Sequence, residues 1–159
     1  MAEAAQQPLV GILMGSASDL PTMQKAGAML SLFEVPYEMH VASAHRSPDL
    51  VDDYARLAEE RGIQVLICGA GRAAHLAGAV AARTILPVIG VPLGTSQLGG
   101  ADALYSTVQM PKGVPVATVG IEAAENAAVL AAQIIAQGDG DLRRRLREFK
   151  ESLAEGFSL

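Results

Sequence analysis

The 159-residue chain is predicted to fold as an α/β protein. One parallel sheet of about five strands carries helices on both faces, a three-layer αβα sandwich, and a further helix follows at the C-terminus. Three observations predict it. Short runs rich in Val and Ile, bounded by Gly or Pro, alternate regularly with helical patterns. Those runs are apolar at consecutive positions, as strands buried on both faces must be. Residues able to do chemistry gather only where a strand passes into a helix. In a parallel sheet all those connections leave at one edge, where ligands bind.

The elements follow in order. Strands are expected at LVGILMG from Leu9, YEMHVA from Tyr37, QVLICG from Gln64, PVIGVP from Pro87 and PVATVG from Pro115. The intervening helices are DLPTMQKAGAMLSLFE, PDLVDDYARLAEERG, AAHLAGAVAART, GGADALYSTVQM and the alanine-rich segment from Glu122. The last helix, DLRRRLREFKESLAEG, sets Leu142, Leu146, Phe149 and Leu153 on one stripe. It packs on its own domain or on a neighbouring subunit. Its four arginines are balanced by nearby acids and read as a solvated face. The expected organisation is a tail over 1–8, an α/β domain over 9–138 and the C-terminal helix over 139–159.

A chain this long buries a sufficient core without disulfides or a structural metal. The one cysteine, Cys68, sits in the apolar run QVLICGAG and reads as a core thiol of a cytosolic protein. No secretory signal is visible, and the longest apolar segment is broken by His75, Arg83, Thr84 and Pro87, which argues against a membrane span. A net charge of −5 and an aromatic content of 4% leave no footprint for nucleic acid. The run AAENAAVLAAQIIA is nearly apolar all round, so a subunit interface is expected to cover it.

Four strand-to-helix loops hold the candidate chemistry. In GSASD, Ser16, Ser18 and Asp19 stand at a helix start. They serve as caps, or as hydroxyl donors to phosphate with Asp19 accepting from a ribose diol. In SAHRSP, Ser47 and Pro48 read as N-cap and first helical residue. Capping does not account for the two residues before them. Arg46 is a fixed cation suited to phosphate, and His45 is the candidate general acid and base. In GAGRAAH, the small residues admit a ligand close to the backbone. There His75 is either a ligand contact or a packing residue. The fourth loop is PLGTSQLGG. His40 lies inside a strand and reads as structural. No GxSxG elbow follows any strand, no metal-ligand spacing is present, and GSASD is neither a GxGxxG nor a Walker loop. The set suits a phosphoribosyl small molecule undergoing proton chemistry.

The segments MGSASD, SAHRSPD, GAGRAAHLAG, LPVIGVP, LYSTVQMPKGVPVATVGI and NAAVLAAQI, in this order, resemble the 5-(carboxyamino)imidazole ribonucleotide mutase family of purine biosynthesis. The resemblance runs from about Val10 to Gln137. It implies a flavodoxin-like fold, a cytoplasmic homo-octamer, and carboxylate transfer from nitrogen to ring carbon through transient carbon dioxide, without metal or organic cofactor. It implies that His45 moves both protons. Ser16, Asp19 and Arg46, with Ser18 and Ser43 beside them, would bind phosphate and ribose. Ala70, Gly71, His75 and Leu76 would form the carboxylate pocket, and Tyr105 to Pro111 would support subunit contacts. Two departures stand out: Arg72 and Ala77 occupy positions where the mutases usually carry Gly and Pro. The alternatives are a carboxylase using carbon dioxide directly, a non-catalytic nucleotide-binding module, or a homologue inactivated by Arg72.

Overall fold

The structure, a computed structural model, describes residues 7–156, so most of the expected N-terminal tail lies outside the described residues. The strands are β1 (Val10–Met14), β2 (Tyr37–Val41), β3 (Val65–Gly71), β4 (Val88–Leu93) and β5 (Ala117–Thr118). The helices are α1 (Leu20–Leu32), α2 (Pro48–Leu57), α3 (Leu76–Ala81), α4 (Ala101–Val108), α5 (Ala124–Ile135) and α6 (Gly140–Ala154). A 3-10 turn, Ala17–Asp19, precedes α1.

All five strands pair in parallel, in the order β2-β1-β3-β4-β5. This is the flavodoxin-like order, with its switch point between β1 and β3, from which the chain runs outward in both directions. Val10 stands beside Tyr37 on one side and Val65 on the other, and Ile67 stands beside Ile89. The central strands β1 and β4 are buried at every position, whereas the edge strand β2 accommodates Glu38 and His40.

Strand alternation divides the core in two. Val10, Ile12, Met14, Val65 and Ile67 face α1, α5 and α6. Leu13, Leu66 and Cys68 face α2 and α3 through Val51, Ala55, Leu76 and Val80. Close packing of α1 against β2 requires Gly27, where a Cβ would stand 2.6 Å from the Tyr37 hydroxyl. Burial pushes the Cys68 thiol up to about 12, consistent with a core role.

Two sequence expectations change. The alanine-rich helix α5 finds its cover within the chain, against α1, the sheet and α6. Small side chains let α1 and α5 approach closely, so α5 gives no argument for a subunit contact. The apolar surface left open lies elsewhere, at Ile85, Leu98 and Tyr105, which are 85%, 68% and 66% exposed. The arginines of α6 also divide. Arg144 pairs with Asp141 in solvent, while Arg145 donates to the Phe33 carbonyl at 2.9 Å and Arg143 to the Ala136 carbonyl at 3.2 Å. These bonds, the Asp139 N-cap, and an edge-to-face contact of Phe149 on Phe33 at 5.1 Å dock α6 on its own domain.

Candidate active site

Loops leaving β1, β2 and β3 converge at the switch point, because α1 and α3 depart to opposite faces of the sheet and leave a crevice between them. The crevice has a volume of about 650 Å³, within the range of small-molecule sites. It brings together all ten residues singled out in the sequence: Ser16, Ser18, Asp19, Ser43, His45, Arg46, Ala70, Gly71, His75 and Leu76.

In the first loop, capping and availability coexist. The Ser16 backbone N–H donates to Asp19 Oδ2 at 3.0 Å, and the Ser18 N–H donates to Ser16 Oγ, closing a capping box. The Ser18 hydroxyl lies 2.9 Å from Ser16 Oγ and 3.5 Å from Asp19 Oδ1, so its single proton chooses one. Asp19 is only 6% exposed. Burial raises its pKa, Glu122 adds to the rise, and the hydrogen bonds from Ser16 and Ser18 and the charge of Arg46 oppose it.

The second loop is tied by its serines. Ser43 Oγ accepts from the Arg46 N–H at 3.2 Å, and the Ser47 hydroxyl donates to the Ser43 carbonyl at 3.1 Å. Pro48 does open α2 and Ser47 holds the N-cap position, but its side chain bonds back to Ser43 rather than to the helix. The expected capping bond is therefore absent; the hydroxyl closes the loop instead. Arg46 Nη2 reaches across the crevice to the Gly15 carbonyl at 2.6 Å, joining second loop to first.

The third loop delivers the second imidazole. His45 Nε2 lies 2.7 Å from His75 Nδ1, with ring centroids 4.9 Å apart and planes at 85°. One ring must donate and the other present a lone pair, so the two rings together hold at most three of four ring protons while the contact lasts. This makes His75 a partner of the candidate acid and base. Leu76 is 2% exposed and its side chain belongs to the core, leaving its backbone at the crevice wall. His40, by contrast, lies on β2 beside Glu38, away from the crevice.

Sequence reasoning missed Thr95 and Glu122, and read Arg72, which also lines the crevice, only as a departure from the family pattern. Thr95 lines the crevice from the fourth loop and meets the face of Gly71, where a Cβ would overlap its hydroxyl. Glu122 lies in a fifth loop at the same edge. It accepts from the Gly94 N–H at 2.5 Å and from the Thr22 hydroxyl at 2.7 Å, joining the fourth loop to α1. Its position after β5 was the available signal. Among the described residues no three His, Cys, Asp or Glu side chains gather as a metal-binding set.

A doubly wound α/β protein with serine hydroxyls, a guanidinium and an imidazole pair at its switch point belongs to the class that binds and transforms small phosphorylated molecules. The chain belongs to the AIR carboxylase family, whose model matches residues 9–156. A Bacillus subtilis relative named N5-carboxyaminoimidazole ribonucleotide mutase is 57% identical over 148 residues, covering 92% of this chain and 91% of the relative. A Schizosaccharomyces pombe relative named phosphoribosylaminoimidazole carboxylase is 51% identical, over 96% of this chain but 28% of the relative. The crystal structure of Treponema denticola PurE superposes with a TM-score of 0.86 at 33% identity, covering 93% of this chain and 92% of that one.

Proposed function

We propose that the protein is a mutase that converts 5-(carboxyamino)imidazole ribonucleotide to 5-amino-4-carboxyimidazole ribonucleotide in purine biosynthesis. The observation that carries this reading is the His45–His75 pair at the switch-point crevice, 2.7 Å apart. It supplies one proton relay beside a phosphate-ready helix start. The relatives support the mutase assignment. The mutase matches nearly end to end, whereas the carboxylase-named one is spanned over 28% of its length.

In this reading the Ser16 and Ser18 hydroxyls and Arg46 hold the phosphate, with Asp19 directed to the ribose. Ser43 keeps the second loop in place. His45, protonated, gives its proton to the exocyclic nitrogen as the N–C bond of the carbamate breaks and carbon dioxide departs. The ring carbon then attacks that carbon dioxide, forming the new C–C bond. His45 takes the proton that the ring carbon releases and regains its starting state. Ala70, Gly71 and Leu76 present backbone around the migrating group, and His75 orients the shuttle. Atoms and charge balance over the cycle, so one imidazole serves both steps. General acid–base catalysis of this kind contributes about 10²- to 10⁴-fold.

The test supplies purified protein with the carbamate substrate, or with aminoimidazole ribonucleotide and bicarbonate. The mutase reading expects turnover of the first. Turnover of the second alone would make it a carboxylase. His45→Asn is expected to lose at least 10²-fold in kcat while keeping substrate affinity; an unchanged rate would remove His45 from the chemistry.

The open apolar residues Ile85, Leu98 and Tyr105 support self-association, and a homo-octamer is the assembly we propose. Among the described residues no helix is long and apolar enough to cross a membrane, which fits the cytoplasmic location we propose. Sedimentation yielding only a single-chain mass would overturn the assembly.

A further inference from the structure

Three non-glycine residues among those described have positive φ: Glu34, Arg72 and Glu122. Each such residue costs energy that the surroundings must offset. For Glu34 and Glu122 the offset is visible. Glu34 closes the end of α1 and its carboxylate meets Arg145 Nη1 at 3.3 Å, while Glu122 accepts from Gly94 and Thr22. Arg72, at φ 58°, has no such offset. Its side chain makes no hydrogen bond or ion pair with any described residue. The other arginines do make them, apart from Arg147 on the exposed face of α6. Yet Arg72 lines the crevice, three residues before His75 on the same loop.

Two arginines on different loops thus line the crevice. Arg46 is drawn to the first loop by its bond to the Gly15 carbonyl, which places it with the phosphate-binding serines. Arg72 belongs to the third loop, with the imidazole pair. A substrate bearing a phosphate at one end and a carboxylate at the other has one anion for each. Resting on the mutase reading above, we propose that Arg72 anchors the substrate's carboxylate: its guanidinium, presented by a left-handed backbone, pairs with the carboxylate at the imidazole end of the crevice. Carbamate and ring carboxylate both offer two oxygens to the guanidinium fork, and neutral carbon dioxide offers no charge. The contact therefore holds substrate and product alike and weakens as the charge leaves, so its loss raises KM without lowering kcat.

The experiment measures calorimetric affinity of wild type, Arg72→Gly and Arg72→Lys for two ligands, the 4-carboxylated product and the same ribonucleotide without its carboxylate. Arg72→Gly suits the left-handed backbone, so folding is not at risk. Arg72→Gly is expected to weaken the carboxylated ligand about ten- to a hundredfold, the range of a charge-assisted hydrogen bond, and to leave the other within about twofold. Arg72→Lys is expected to fall between, keeping charge without the fork. Equal losses for both ligands, or none for either, would overturn the proposal while wild-type turnover of the carbamate substrate leaves the mutase reading intact. Wild type that neither binds nor turns over these ribonucleotides would overturn the mutase reading first.

Discussion

Removing Glu122 tests whether the fifth loop braces the crevice. The carboxylate accepts from the Gly94 N–H at 2.5 Å and the Thr22 hydroxyl at 2.7 Å, on a backbone held at φ 60°. Glu122→Ala deletes both bonds and keeps the left-handed strain. Both bonds are solvent-exposed, so each is worth about 1 kcal/mol, and the variant loses about 2 kcal/mol. Glu122→Gly deletes the same bonds but recovers ~1 kcal/mol of strain, for a net loss of about 1 kcal/mol. Glu122→Gln keeps an acceptor oxygen and loses least. In thermal unfolding followed by circular dichroism at fixed protein concentration, roughly 2–4 °C per kcal/mol sets the scale. The alanine variant should fall by about 4–8 °C and the glycine variant by about half as much. A second readout follows from the charge. Burial and then Glu122 raise the Asp19 pKa from its ordinary value of 3.8, so the folded state holds that proton more tightly than the unfolded one. The Asp19 contribution is therefore fully present below 3.8 and is lost as pH climbs through the raised value. With Glu122→Gln that decline should be shallower. An alanine variant as stable as wild type, or a glycine variant less stable than the alanine one, would refute the bracing argument.

Two further outcomes follow from packing and charge away from the crevice. Phe149→Ala empties a site 8% exposed and removes the contact with Phe33 at 5.1 Å. It should cost about 3–5 kcal/mol in urea unfolding, and a cost below about 1 kcal/mol would mean that α6 contributes little to the fold. At Glu38, burial pulls the carboxyl upward, but the hydrogen bonds from Arg61 and Tyr54 and the nearby positive charge outweigh it. The net shift is below the ordinary 4.5. Its ionised form therefore stabilises the folded state above 4.5, and that contribution disappears as pH falls through the lowered value. Glu38→Gln should flatten this part of an acid titration of stability; superimposable curves would show that the Arg61 pairing is solvated away.

Much of this molecule was legible in the amino-acid order because its signals are local. Buried strands such as VGILM and VLICGAG announce themselves by composition, and Pro48 marks the start of α2 without any knowledge of neighbours. The common edge of the strand-to-helix loops follows from parallel pairing alone, so the neighbourhood of the crevice was accessible too. Even so, local signals blurred where a residue's partner came from afar. Ser47 holds the N-cap position but spends its hydroxyl on Ser43. The alanine-rich helix looked destined for a partner subunit, until α1 and α6 proved able to cover it.

What the tertiary structure decided are the pairings between distant segments. The contact of His45 with His75, the reach of Arg46 to Gly15, and the brace from Glu122 to Gly94 and Thr22 span 30, 31, 28 and 100 residues along the chain. No periodicity or capping rule encodes them, because each depends on which strand lies beside which. Residue order alone specified five strands, their helices and the edge where the chemistry stands. The placement of β1 between β2 and β3 set which loops meet, because hydrogen-bonded strand order, rather than chain order, fixes the distance between side chains at that edge.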